Sequence, residues 1–239
     1  MRVFAIGDLH LSTSVDKPMD IFGVRWQNHT EKIQRNWQNT VKPEDLVIIA
    51  GDISWATDLA EALPDLQLID NLPGEKILLR GNHDYWWQSI TKLRLLRQTE
   101  GLSTLDFLQN DAFLLEDGTV ICGTRGWLLP GDTDYEAETD EKIMKRELIR
   151  LKMSLQEAKK LHDPGKPLLA AVHYPPFVKA VDENEVTALL EEFKVTDCVF
   201  GHIHHLWSRL RLDRQEIRGI LYSLVACDQI DFTPKLIIP

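Results

Sequence analysis

Val3-Phe4-Ala5-Ile6-Gly7-Asp8-Leu9-His10 carries four apolar residues straight into a glycine, with an aspartate and a histidine two positions apart just beyond it. A short apolar run bounded by a glycine reads as a buried strand. In extended chain, residues i and i+2 share a face, so Asp8 and His10 can grip one ion from the same side. The pattern then recurs along the chain. Leu46–Ala50 leads into Gly51-Asp52, and Ile77–Leu79 leads into Gly81-Asn82-His83-Asp84. Leu168–Val172 leads into His173, and Cys198–Phe200 leads into Gly201-His202-Ile203-His204. Open α/β sheets collect their ligands beyond the carboxyl ends of strands. The predicted strands therefore deliver carboxylate, amide and imidazole groups to one sheet edge, which is how a metal centre is built.

His202 and His204 repeat the two-residue spacing of Asp8 and His10. Carboxylate, imidazole and amide oxygen together suit Mn, Fe or Zn better than Ca or a structural zinc. Asp8, His10, Asp52, Asn82, His173, His202 and His204 offer enough groups for two ions, with Asp52 shared.

In this order the motifs D-x-H, GD, GNH-D, a lone His and GHxH resemble those of the calcineurin-like metallophosphoesterases, from residue 7 to residue 204. The resemblance implies an α/β fold, a four-layer α/β/β/α sandwich of two mixed sheets flanked by helices. It implies two divalent ions (Mn2+, Fe2+/Fe3+ or Zn2+). Asp8, His10, Asp52 and His204 would hold one ion, and Asp52, Asn82, His173 and His202 the other. A hydroxide held between the ions would hydrolyse a phosphomonoester or phosphodiester. His83 would act as general acid, and Asp84 would hydrogen-bond His83 and fix its tautomer. The second motif, Gly51-Asp52-Ile53-Ser54-Trp55, lacks the arginine of phosphoprotein phosphatases. His83 stands where UDP-diacylglucosamine pyrophosphatases carry arginine. The small phosphohydrolase branch remains. The rival reading is a non-catalytic scaffold of the same fold, which would have lost part of the metal set.

At 239 residues the chain suits one domain spanning residues 1–239, with no repeat or linker to split it. The net charge of −10 argues against long nucleic acids, which need a basic face. It leaves room for a small phosphorylated substrate, nucleotides included. No run of about 20 apolar residues is present for a membrane span. Three dispersed cysteines, Cys122, Cys198 and Cys227, form no disulfide framework and point to the cytoplasm.

Between the motifs, the spacing predicts a helix from Asn28 and another over residues 57–71, kinked at Pro64. Further helices are expected over residues 86–98, 140–162 and 184–193. A hairpin is expected about Asp117-Gly118, and a β-rich tail ends the chain. Arg80 either reaches a substrate phosphate as a planar donor or pairs with a nearby acid. Tyr174 either lines the pocket or packs. His29 and His162 read as solvated, and His205 by alternation points away from His204. The substrate rim is expected from residues 11–27, from Tyr85-Trp86-Trp87, and from residues 125–135 with Arg125.

Overall fold

The computed structural model describes residues 1–178, 183–204 and 214–239. Its strands in chain order are β1 (Val3–Ile6), β2 (Leu46–Ala50), β3 (Glu75–Leu79), β4 (Leu105–Leu108), β5 (Ala112–Leu114) and β6 (Val120–Thr124). β7 (Leu168–Val172), β8 (Asp197–Phe200), β9 (Gln215–Ile217), β10 (Ile220–Leu224) and β11 (Lys235–Ile238) follow. The helices are α1 (His29–Thr40), α2 (Leu59–Asp70), α3 (Ile90–Thr99), α4 (Ala137–Leu161) and α5 (Glu185–Glu192). Two mixed sheets with flanking helices make this an α/β fold, the class that the resemblance implied. The chain packs as two compact units, Met1–Phe107 with Val225–Pro239, and Leu108–Leu224.

In the first unit the sheet order is β11-β1-β2-β3-β4. β1, β2 and β3 run parallel, in register from Val3 opposite Leu46 and from Leu46 opposite Glu75, and β11 returns antiparallel to β1. Parallel strands covered on both faces read as unbroken apolar runs, and every residue of β1 and β2 is buried. The core joins Phe4, Ile6, Val47 and Ile49 to Ile33 and Trp37 of α1 and to Leu66 and Ile69 of α2. Each such side chain contributes about 1.5–3 kcal/mol by leaving water.

Two predicted helices differ from what forms. α2 runs through Pro64 without a break, because a proline in the second turn removes one backbone bond while Ala62, Leu66 and Ile69 still pack inward. α3 begins only at Ile90, since the turn bonds Tyr85 N–H to His83 O and Trp87 N–H to Asp84 O occupy the preceding residues. β4 has no counterpart among the expected strands. Its four residues carry too short a pattern to stand out.

In the second unit the order is β5-β6-β7-β8-β10-β9, parallel from β6 to β10 and antiparallel at both edges. The expected hairpin joins β5 to β6 through Asp117-Gly118. Asn184 caps α5 in a capping box with Thr187. The core joins Val120, Ala170 and Phe200 to Leu151 and Leu155 of α4. The buried stripe of α4 also carries Glu147 and Ser154. The Ser154 hydroxyl accepts from Gly123 N–H at 2.8 Å and donates to Asp111 O at 2.6 Å.

A Cβ on Gly123 would lie 1.8 Å from Ala171 O of the neighbouring strand. Gly123→Ala is therefore expected to lower stability by about 3 kcal/mol, read from the urea midpoint. A second prediction concerns Lys76, buried in β3, whose Nζ donates to Asp70 O, Leu72 O and Thr104 Oγ1 and so closes the end of α2. Burial pulls its ammonium down to about 8 from the ordinary 10.5. Between those values the unfolded chain holds a proton that the folded chain has released, so Lys76 makes stability rise with pH across that window. Urea midpoints taken on either side of it should lose that rise in Lys76→Met.

Candidate metal centre

In the first unit the expected ligands stand where β1, β2 and β3 end. The segments after β1 and β2 run side by side. Asp8 N–H donates to Gly51 O at 2.8 Å, His10 N–H to Asp52 O at 3.0 Å, and Leu11 N–H to Ile53 O at 3.0 Å. Residues 225–227 flank the other side, with Gly7 N–H donating to Val225 O at 2.7 Å and Cys227 Sγ to Asp8 O at 3.0 Å. Asp8, His10 and Asp52 are buried, and His10 Nε2 lies 3.8 Å from Asp52 Oδ2. Asp8, His10 and Asp52 all have left-handed backbone, with φ of 58°, 47° and 51°. Such conformations on non-glycine residues cost free energy and cluster at functional sites.

The loop after β3 approaches Asp52 closely. A Cβ on Gly81 would fall 2.0 Å from Asp52 Oδ1, so only glycine leaves that carboxylate its place. His83 N–H donates to the same oxygen at 2.8 Å. Asp84 is fully buried and accepts four bonds. They come from Gly81 N–H at 2.7 Å, Ile53 N–H at 2.9 Å, Ser54 N–H at 3.2 Å and the Trp86 indole N–H at 3.0 Å. Burial, and then the charge of Asp52, pushes its carboxyl up to about 7, while the backbone donors pull the other way. Three of these donors converge on Oδ1, and Gly81 N–H alone takes Oδ2.

The expected Asp84–His83 bond is not made among the described residues; Asp84 serves as a tie between two loops. The Nδ1 of His83 is buried with no hydrogen-bond partner among the described residues. Arg80, half-buried, forms no ion pair with those residues, and its Nε–H is likewise unpartnered among them. Of the two readings of Arg80, pairing with an acid is the one that the described residues lack.

In the second unit His173 follows β7 and is buried, its N–H donating to Arg125 O at 3.0 Å. His202 follows β8 with φ of 71°, and its ring centre lies 5.1 Å from that of His173 in an edge-to-face pair. Tyr174 is buried against His202 at 4.2 Å. His204 is half-buried, and His205 lies outside the described residues. A groove of about 830 Å3 in this unit sits among Lys159, Lys166 and Lys194 at the entry to β7 and β8, the opposite strand ends from these histidines.

Several rim expectations are corrected. Trp86 and Trp87 are core residues, and only Tyr85 of that run is exposed. Arg125 pairs with buried Glu147 at 3.3 Å and lies over Trp127, so it supports the His173 segment through its carbonyl rather than facing outward. His29, expected in solvent, is buried with Nε2 3.3 Å from His10 O, and burial lowers its pKa. His162 caps α4, its Nε2 2.8 Å from Lys166 O. Trp55 stacks on His10 at 4.9 Å. Its only signal in the sequence was its position just after the second motif.

A model of the calcineurin-like phosphoesterase family matches residues 1–206. The chain belongs to that family. Comparison with curated proteins returns no match. Solved structures with similar folds include a phosphopantetheinyl hydrolase from Mycobacterium tuberculosis, 13% identical with a TM-score of 0.58 over 100% of this chain and 96% of that one. A Thermus thermophilus protein is 11% identical, with a TM-score of 0.58 over 99% and 98%. A protein of unknown function from Aquifex aeolicus is 17% identical, with a TM-score of 0.51 over 98% and 95%. At these identities the likeness is one of fold. The family binds divalent metals, and the donors fit that habit. Asp8 and Asp52 are buried carboxylates among imidazoles, and a buried carboxylate keeps its charge only when it is compensated. Among the described residues no helix is long and apolar enough to cross a membrane.

Asp84→Asn can keep an oxygen for the three donors at Oδ1 but would turn amide hydrogens toward Gly81 N–H, the donor at Oδ2. The variant is expected to lose about 3 kcal/mol of stability, as for buried bonds to a charged group. Amide exchange of Gly81 should accelerate most, because only its bond must be lost, with Ile53 and Ser54 less affected.

Proposed function

We propose that the chain is a dinuclear metal-dependent phosphoesterase of small phosphorylated molecules, nucleotides among them, acting in the cytoplasm. The observation that carries this reading is the filled ligand series on strand ends, in a chain of this family. In that reading Asp8, His10, Asp52 and His204 would hold one ion, and Asp52, Asn82, His173 and His202 the other, as the resemblance implies. When bound, the ions supply Lewis acidity, activating the attacking water and neutralising the phosphoryl oxygens. The chain's own groups do the rest. Hydrolysis forms one phosphorus–oxygen bond from water and breaks the bond to the alcohol, whose oxygen takes a proton from the His83 imidazole. Arg80, with no acid beside it among the described residues, is the group suited to bind a phosphate oxygen.

The three thiols, all buried and free, agree with a reducing compartment. The net charge of −10 disfavours long nucleic acids as substrates. A non-catalytic scaffold has no use for His83 or for a complete donor set. Rates on p-nitrophenyl phosphate, bis-p-nitrophenyl phosphate and 2′,3′-cyclic nucleotides with added Mn2+ test the reading and separate monoesterase from diesterase. No turnover on any of the three would count against it. His83→Ala should keep both ions and lose about 10²–10⁴-fold in turnover of alkyl esters. It should lose far less on p-nitrophenyl esters, whose leaving group needs little protonation. Loss of metal in that variant would make His83 a ligand instead.

A further inference from the structure

The carboxylate expected to orient His83 is committed elsewhere, and the Nδ1 of His83 is buried with no hydrogen-bond partner among the described residues. Torsion about the last bond of a histidine side chain is broad and weakly two-fold. Without a hydrogen bond at Nδ1, the buried side of this ring is held by packing. That packing is aromatic. The Trp55 ring centre lies 4.5 Å from that of His83 at an interplanar angle of 50°, with His10 at 5.6 Å and Tyr85 at 6.3 Å.

Trp55 is common to both imidazoles, since it also stacks on His10 at 4.9 Å and 22°. It is itself held at two points. Its backbone N–H donates to Leu11 O at 2.9 Å, on the segment that carries His10. Its indole N–H points at Met19 Sδ, 3.2 Å away. The preceding residue, Ser54, gives its N–H to Asp84. The indole is thus fixed by the same junction that places Asp52.

We infer that Trp55 is the positioning residue of this site: one indole face sets the ring planes of His10 and His83 together. This rests on the roles proposed above for those two histidines, a metal ligand and a proton donor. A flat, rigid ring packed against both keeps the donor at a constant distance from the ligand, a task usually given to a carboxylate bonded to the histidine.

The test uses Trp55→Phe, Trp55→Leu and Trp55→Ala. Phe keeps a flat face, Leu keeps bulk without one, and Ala removes both. Calorimetric titration of metal-free protein with Mn2+ should show one of two ions weakened about tenfold in Leu and Ala, as when a group that orients a ligand is lost. The other ion should be unchanged, and Phe should stay near wild type. At saturating Mn2+, kcat on an alkyl phosphate should fall about tenfold or more in Leu and Ala, part of what general acid catalysis supplies. Turnover of p-nitrophenyl phosphate should change little, and Phe should restore the alkyl ester. Unaltered Mn2+ affinities together with wild-type alkyl-ester turnover in folded Leu or Ala would overturn the inference. So would equal losses on both esters, which mark general damage. If wild type hydrolyses neither ester, the proposed function falls, yet the Mn2+ titration still decides whether Trp55 holds His10.

Discussion

The Asp84 carboxylate is the joint on which the first unit's ligands depend. It takes N–H bonds from Ile53 and Ser54 beyond β2 and from Gly81 beyond β3, and the indole of Trp86 adds a third donor at Oδ1. Parallel pairing brings β2 and β3 side by side but says nothing about the course of the loops that leave them. A buried charge with four donors does, because releasing any one of them leaves an unsatisfied group away from water. Gly81 then lies so close to Asp52 that a methyl group would overlap the carboxylate. Asp52 and Asn82 are therefore placed by one acid that is not expected to bind metal.

The same economy explains the backbone. Asp8, His10, Asp52 and His202 are left-handed, and each belongs to a motif just beyond a strand. A strand that simply continued would send alternate side chains to opposite faces. Left-handed residues turn the chain sharply instead, and short polar side chains such as Asp tolerate that region better than most. The strain is offset by the bonds that hold each turn: Asp8 to Gly51, His10 to Asp52, and Cys227 back to the Asp8 carbonyl.

Much of this was legible in the sequence. An apolar run followed by Gly-Asp, or by an imidazole, is a strong local signal, and β2, β7 and β8 lie where the runs placed them. The Asp117-Gly118 hairpin and the long amphipathic α4 were legible for the same reason: one local pattern decides each. What escaped depends on partners distant in sequence. The turns that delay α3 exist because Trp86 reaches Asp84, and no helical periodicity contains that fact. The pairing of Asp84 with backbone rather than with His83 is a choice among acceptors, and a motif records residue types without recording their partners. Trp86 and Trp87 look like a rim in a string of letters because they follow His83, yet Trp87 packs on Phe107 of β4, a strand too short to announce itself. His29 followed the same course, buried by its contact with the His10 carbonyl.

The geometry at Asp8 also ties the site to the completion of the fold. Gly7, one residue before the ligand, is held through its N–H by Val225 and through its carbonyl by Cys227. β11 then pairs with β1 along its length. These contacts span nearly the whole sequence, and contacts of such separation form late because the loop they close costs the most entropy. β1 can pair with β2 early, since α1 is the only α-helix between them. The Asp8 carbonyl and the turn that follows it acquire their last partner only when residues 225–227 return. A metal ion gripping Asp8 and His10 would favour the state in which that return has happened, because binding free energy at a site absent from the unfolded chain is folding free energy. Ligand geometry and closure of the first sheet are in this sense one event, joined at Gly7.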